Sequence, residues 1–529
     1  MNVYLFDHSF EILKKSTSFK MNKARTFLFF NIILSIAALT VIFRPYVNNI
    51  SIPGSQKSQK NIIHKIPEFF TDQEENYGYD GKINQIRDYD MEHLNGSTYL
   101  DYTGSALYRT SQITNIFELY RKNLFANPHS LSPASTYTTD LVESARDLVL
   151  NFLGTTSSKY TVIFTASTTA SLRLLAESFP WTKDSMYLYT RDNHNSVLGI
   201  RRWATHWGAK FRSIDTEDLQ GAGRRNEGSS ETSHLFAFPA EENFAGVKYP
   251  LEWIKKFQET DFGDKFTEKK GRWYVLLDAA AYLATNKLDL EKYPADFVVM
   301  SFYKIFGFPN LGALVVKNEN VQHLRKMGFS GGTVVMATCG KDFALLQPRG
   351  CSRFEDGTIP FMSIIALHEG FKMINEIGIG NITKHTWAVT RELYVRLNMI
   401  RHSNGRPVVR IYGSHVKNDM NVQGPIVTVN FLDDKGGYIG YNEVMVNAAK
   451  ENINIRVGCF CNPGACTRAN NLNDDQVEEY YNKKTSCHDS IDIIDGIPLG
   501  AVRISMGAYT TMEDVEKFAQ FVEKHFVDN

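Results

Sequence analysis

The chain has 529 residues, 58 Lys plus Arg against 58 Asp plus Glu, and a hydrophobic fraction of 43%. That length predicts about three structural units with room for a conventional core. The charge balance excludes a disordered polyelectrolyte and an overall basic nucleic-acid binder, so no nucleic-acid partner is expected. Six cysteines, three of them clustered, read as reduced or reactive thiols rather than a disulfide framework.

In chain order, residues 1–25 form a basic flank, and residues 26–43 (TFLFFNIILSIAALTVIF) carry no charge. As a helix that run reaches about 27 Å, close to one bilayer crossing. A single-pass anchor with the main body of the chain facing the cytosol is therefore expected, with a cytoplasmic or organelle-targeted chain as the alternative. Residues 44–94 read as a linker or N-terminal extension. Strand-like runs follow, separated by helical stretches: YTVIFTAS, SMYLYTRD, HLFAFPAE, WYVLLDAA, DFVVMSF and GALVVKN. This pattern predicts a mainly parallel sheet covered on both faces, over residues 95–370. From FKMINEIG onward, helical and strand patterns (RPVVRIYG, GPIVTVNFLD, EVMVNAAKEN) predict a smaller α+β domain over 371–529. Its last helix, TMEDVEKFAQFVEKHF, starts at Thr510 or Thr511.

Three segments carry chemistry. Lys304 follows an apolar strand and precedes glycine-rich chain, a placement suited to a cleft lysine that forms an imine with an aldehyde cofactor. Asp278 ends another strand, where its carboxylate can meet a protonated pyridine nitrogen. Ser167, Thr168 and Thr169 lie between a strand and a helix, where hydroxyls and backbone amides bind phosphate. Singly, each has a plain reading as a surface lysine, a helix cap or ordinary N-capping. In the order phosphate cup, carboxylate, lysine, they reinforce one another. Cys459, Cys461 and Cys466 sit on the turn-rich VGCFCNPGAC. Metal binding is disfavoured because one residue between two ligands is awkward for a tetrahedral site, and the paired C-x-x-C spacing is absent.

The segments YLDYTGSAL, NPHS, IFTASTTASL, RDNHNSVLGIR, ENFAG, LLDAAAYLATNKLDL, MSFYKIFG, FSGGTV, RFEDGT and VGCFCNPGAC stand in family order over about residues 95–525. The sequence resembles the cysteine-desulfurase domain of the eukaryotic molybdenum cofactor sulfurases, a class V aminotransferase branch of the pyridoxal-phosphate enzymes. The resemblance implies an α/β protein of the type I aminotransferase fold and pyridoxal 5'-phosphate as cofactor. By position, it makes Lys304 the Schiff-base lysine and Asp278 the acid at the ring nitrogen. His194 stacks on the ring and helps move protons, and Asn243 lies near the phenolic oxygen. Thr168 and Thr169 form the phosphate cup, joined by Ser301. Thr333 resembles a residue that reaches the neighbouring subunit's phosphate, which implies a homodimer. Arg503 matches the arginine that binds the substrate carboxylate. Cys461 matches the nucleophile of a mobile loop, with Cys459 and Cys466 structural or assisting a sulfur relay.

The implied reaction converts L-cysteine to L-alanine and leaves a persulfide on Cys461 for an acceptor, with molybdenum cofactor on a separate protein as the leading candidate. Full-length members of the family it resembles carry a further C-terminal cofactor-binding domain, whose role is expected to fall here to a separate acceptor-binding protein. The alternatives are a related pyridoxal-phosphate lyase or desulfurase with another sulfur substrate or acceptor, and a non-catalytic membrane-associated interaction protein.

Overall fold

All six apolar runs named above become strands of one seven-stranded sheet in the computed structural model, which describes residues 76–224, 231–348, 350–482 and 491–528. In chain order these are β1 Tyr160–Thr165, β2 Met186–Thr190, β3 Lys210–Ile214, β4 Ser233–Pro239, β5 Arg272–Asp278, β6 Phe297–Ser301 and β7 Gly312–Lys317. They lie side by side in the order β1-β7-β6-β5-β4-β2-β3. Only β7 runs antiparallel to its neighbours, β1 and β6. The remaining neighbours pair in parallel. The sheet is covered on both faces, and β5 shows how. Trp273, Val275 and Leu277 enter one apolar cluster, while Tyr274 and Leu276 enter another on the opposite side. Each such side chain stabilises the fold by about 1.5–3 kcal/mol when fully buried.

Five further strands form a second sheet: β8 Val409–Tyr412, β9 Ile426–Leu432, β10 Tyr438–Ile439, β11 Arg456–Gly458 and β12 Ala501–Ser505. Its order is β8-β9-β12-β11, with β10 also paired to β9, and every pairing is antiparallel. Val427, Val429 and Phe431 of β9 point to one face, as period-two alternation requires. There they meet Val389, Leu393 and Leu397 of the Ile379–Met399 helix and Phe518, Phe521 and Phe526 of the Met512–Phe526 helix. Thr511 caps that last helix, exchanging hydrogen bonds with Asp514 in a capping box.

Residues 76–94, expected within a linker, are structured. Lys82–Asp90 is a helix, and Arg87 forms a forked ion pair with the buried Asp514 at 2.9 and 3.1 Å. Gly78 donates its N–H to Nδ1 of the fully buried His385. The polar composition that reads as a tether supplies these docking groups. Further on, Thr98 and Tyr99 pair in parallel with Ile453 and Asn454, which fastens this segment to the second sheet's side of the molecule.

The expected membrane anchor is corrected. Among the described residues no helix is long and apolar enough to cross a membrane, so the transmembrane, membrane-attachment and membrane-location assignments are withdrawn. Among the described residues the longest helix, Ile379–Met399, fails as a span for a physical reason: it buries one apolar stripe and carries Lys384, Arg391 and Arg396 along its length. Segment 26–43 lies outside the described residues.

Candidate active site

The carboxyl ends of β1, β4, β5 and β6 open on one cleft, the position where open α/β sheets bind ligands. Its walls include Ser167, Thr168, Thr169, His194, Asn243, Asp278, Ser301 and Lys304. Eight expected positions thus meet in one place although they span 138 residues of chain.

The turn after β1 starts the Thr168–Ser178 helix, and Ser167 caps it by accepting the Ala170 N–H at 3.2 Å. Thr168 reaches Ser301 twice: its N–H donates to Ser301 Oγ at 3.1 Å, and the two hydroxyls lie 2.7 Å apart. Thr169 and Ser196 pair their hydroxyls at 2.8 Å. Together, five hydroxyls and the first amides of an eleven-residue helix converge, a donor set suited to a phosphate dianion. Gly312 of β7 permits this approach, since a Cβ there would stand 2.4 Å from the Ser167 carbonyl carbon.

Asp278 ends β5 with its carboxyl buried and its Oδ1 accepting the Ala280 N–H at 3.0 Å. Burial raises its pKa, while that hydrogen bond and the nearby Lys304 oppose the shift. Lys304 lies on the one-turn Tyr303–Phe306 helix just after β6. Burial pushes its pKa down, Asp278 works against this, and Arg503 adds to it. His194 caps the Asn195–Leu198 turn by accepting the Ser196 N–H at Nδ1, which places the proton of the neutral ring on Nε2. Burial, then the charges of Lys304 and Arg503, push its pKa to about 4, so the ring is neutral at physiological pH.

A second wall beside the cleft comes from the second sheet and the cysteine loop, whose Arg503 and Cys461 stand outside its immediate lining. Arg503 of β12 is 2% exposed. Its Nη2 donates to Asp101 at 2.9 Å, its Nη1 donates to the Asn243 carbonyl at 2.9 Å, and its guanidinium lies over the Phe460 ring. Among the described residues its buried Nε has no partner. Asp101 also takes a forked bond from Arg456, at 2.9 and 2.6 Å. Asn243 donates its side-chain amide to the Phe460 carbonyl at 2.6 Å.

Phe460 and Cys461 both hold left-handed backbone, φ 53° and 57°, a conformation rare for non-glycine residues and one that lifts Cys461 into an exposed position. The Cys461 carbonyl accepts the Asn195 N–H at 2.7 Å, so the loop is tied beside His194. Cys459 and Cys466 are joined in a disulfide, whereas the composition reads the cysteines as thiols. Proximity across a seven-residue turn accounts for the pairing, and it leaves Cys461 as the free thiol of the cluster.

Thr333 is placed elsewhere. It is buried in its own turn, where its hydroxyl exchanges bonds with Ser330, and it does not line this cleft. Sequence reasoning missed Glu241, Ser196, Asp101 and Arg456. Glu241 lines the cleft, fully buried, and burial raises its carboxyl pKa to about 7 against the pull of Lys248. The doubled glutamate before Asn243 was its one visible signal.

This donor set fits pyridoxal phosphate: a hydroxyl and amide cradle for the phosphate, a buried carboxylate for the ring nitrogen, a buried lysine for the aldehyde and an imidazole alongside. Fold and site together define a pyridoxal-phosphate enzyme of the type I aminotransferase fold, with a large mixed sheet and a smaller α+β part. The chain belongs to the class-V aminotransferase family, whose model matches residues 98–518. It is 42% identical to molybdenum cofactor sulfurase of Homo sapiens over 460 residues, covering 84% of this chain and 52% of that protein. The protein of that name from Arabidopsis thaliana is 40% identical, over 85% of this chain and 59% of its own length. The chain thus spans about half the length of the relatives it matches. Among solved structures, the apo cysteine desulfurase of Thermococcus onnurineus NA1 superposes with a TM-score of 0.64 at 21% identity, covering 84% of this chain and 98% of that one. At that identity the likeness shows the fold.

Proposed function

We propose that the chain is a cysteine desulfurase of the molybdenum-cofactor-sulfurase type, which converts L-cysteine to L-alanine and receives the sulfur on Cys461. One observation carries this reading: the free, exposed thiol of Cys461 stands on a loop tied by Asn195 and Asn243 to the same segments that build the cofactor cleft. A lyase that ends with free sulfide needs no such thiol.

Ser167, Thr168, Thr169, Ser196 and Ser301 hold the phosphate, Asp278 the ring nitrogen and Lys304 the aldehyde carbon. Held there, pyridoxal phosphate would supply an aldehyde for the substrate amine and an electron sink for the pair freed at Cα. Lys304, with its ammonium weakened by burial and by Arg503, is the base for the Cα proton. Arg503 offers its unpartnered Nε and its fork to the substrate carboxylate, in exchange for part of its bond to Asp101. His194, neutral with Nε2–H directed by its Ser196 bond, holds a proton beside the reacting atoms. The Cys461 thiolate attacks the substrate sulfur. The electron pair of the C–S bond stays with carbon, which is protonated to the methyl group of alanine.

The acceptor proposed for that sulfur is molybdenum cofactor held by a separate protein. A homodimer is supported by the hairpin that follows Thr333, whose Val335, Met336, Phe343 and Leu345 are all exposed. The domain division proposed here falls at Gly378, between a helix packed on the large sheet and one packed on the small sheet. Incubating the cofactor-loaded chain, with its Cys459–Cys466 disulfide intact, with L-cysteine tests the function. Alanine together with one added sulfur atom on Cys461 is the expected result. Pyruvate with no persulfide would replace this reading with the related lyase.

A further inference from the structure

The disulfide beside Cys461 has no place in the reaction as written, yet it stands at the point where the sulfur is delivered. Cys459 and Cys466 are bonded with a Cα separation of 5.3 Å, and Cys461 lies two residues from one of them. Their surroundings suit thiols as well as a disulfide. The Leu499 carbonyl lies 3.2 Å from Cys459 Sγ and 3.9 Å from Cys466 Sγ. A disulfide has no proton to give such an acceptor, whereas either S–H does. From the other side, the Asn470 side-chain amide donates toward Cys466 Sγ at 3.8 Å, a contact that favours a thiolate there. Cys466 is 2% exposed, so its sulfur is shielded from thiols in solution and is positioned to react within the loop.

We propose that Cys459 and Cys466 are a built-in two-electron reductant that converts the sulfur held on Cys461 into sulfide. The proposal rests on the desulfurase reading. In the first step the Cys459 thiolate attacks the outer sulfur of the Cys461 persulfide. A Cys459 persulfide forms and the Cys461 thiolate leaves. In the second, the Cys466 thiolate attacks Cys459 Sγ, the Cys459–Cys466 disulfide forms, and hydrosulfide leaves. Two thiols lose two electrons and the sulfur atom gains them. The disulfide in the structure is the product of that step, and a dithiol reductant from solution, attacking at the half-buried Cys459 sulfur, restores the pair for the next cycle. An acceptor that takes sulfur as sulfide would then need no reductant of its own.

The experiment uses the full chain loaded with pyridoxal phosphate, reduced, freed of reductant under anaerobic conditions, and given one equivalent of L-cysteine. Alanine, bimane-trapped sulfide and the alkylation state of each cysteine are measured together. The wild type is expected to release about one sulfide per alanine, with the Cys459–Cys466 disulfide gained in the same proportion. Cys466→Ser should lower the sulfide-to-alanine ratio about tenfold or more and leave persulfide shared between Cys459 and Cys461. Cys459→Ser should lower the same ratio while confining persulfide to Cys461, which guards against misfolding of either variant. A wild-type chain that keeps its persulfide with Cys459 and Cys466 both alkylated overturns the proposal. So does an unchanged ratio in both variants. Absence of alanine from the wild type overturns the desulfurase reading itself, and this proposal falls with it. Alanine with persulfide but no sulfide overturns the proposal alone.

Discussion

The two walls of the cleft are built by different rules. On the large-sheet wall the phosphate cup, carboxylate and lysine sit where regular strands end: Thr168 after β1, Asp278 at the end of β5, and Ser301 and Lys304 at and after β6. Their partners are neighbours in that same framework, such as the Thr168–Ser301 hydroxyl pair. The cysteine-loop wall is held by carbonyls, with Phe460 O bound by Asn243 and Cys461 O bound by Asn195, and by two residues in left-handed conformation. A cofactor must stay, and rigid strand ends hold it. A thiol that collects sulfur and gives it away has to face outward, and irregular backbone allows that.

The largest test of this division is Lys304→Ala. It should lower turnover by more than about 10³-fold and remove the visible absorbance of lysine-linked cofactor. Unchanged absorbance would show that the first wall has been misassigned. Cys461→Ala should spare cofactor loading, abolish the persulfide seen by mass spectrometry, and slow alanine release by about 10²-fold. Equal loss of cofactor would mean that the two walls are not separable. Arg503→Lys keeps the charge but loses the fork, and should raise KM for L-cysteine by about 10- to 100-fold, read from initial rates. A KM within twofold of wild type would release Arg503 from substrate binding.

The smallest effect concerns His385, which docks residue 78 beside the second wall's framework through Gly78 N–H and the Thr510 carbonyl. Burial holds its pKa at about 4, below the ordinary value of 6.5. The unfolded chain therefore takes up a proton that the folded chain refuses, and stability falls as pH drops below 6.5 toward 4. Between pH 6.5 and 5.5 this group alone should remove about 1 kcal/mol. His385→Gln should flatten that part of a urea-denaturation series, and an unaltered slope would assign the acid sensitivity to other groups.

Legibility in the sequence follows the same division. The buried strands announced themselves because both faces are apolar, so each reads as a continuous hydrophobic run. β3 did not, since Lys210, Phe211, Arg212 and Ser213 are exposed at the sheet edge and only Ile214 is buried. The reversed direction of β7 was equally hidden, because GALVVKN is apolar whichever way it runs. Strand ends and helix starts made the phosphate cup, Asp278 and Lys304 visible. The partners of Arg503 were invisible: Asp101 lies 402 residues away, and no local pattern links them. The same holds for the disulfide, which depends on the path of a turn rather than on composition. Residues 76–94 looked like a tether because docking groups such as Arg87 and Gly78 are polar or small, the composition that also marks linkers.

The parallel pairing of Thr98 and Tyr99 with Ile453 and Asn454 sets a timetable for synthesis. Residues 98–101 leave the ribosome among the first of the described body, yet their partners Ile453, Arg456, Arg503 and Ser505 emerge last. The large sheet can close while translation continues, but the arginine wall cannot. Until β11 and β12 arrive with Arg456 and Arg503, Asp101 is an uncommitted carboxylate and the cleft has one side. Assembly of this half therefore follows that of the large sheet, and a nascent chain can form the cofactor cleft before its arginine wall is in place.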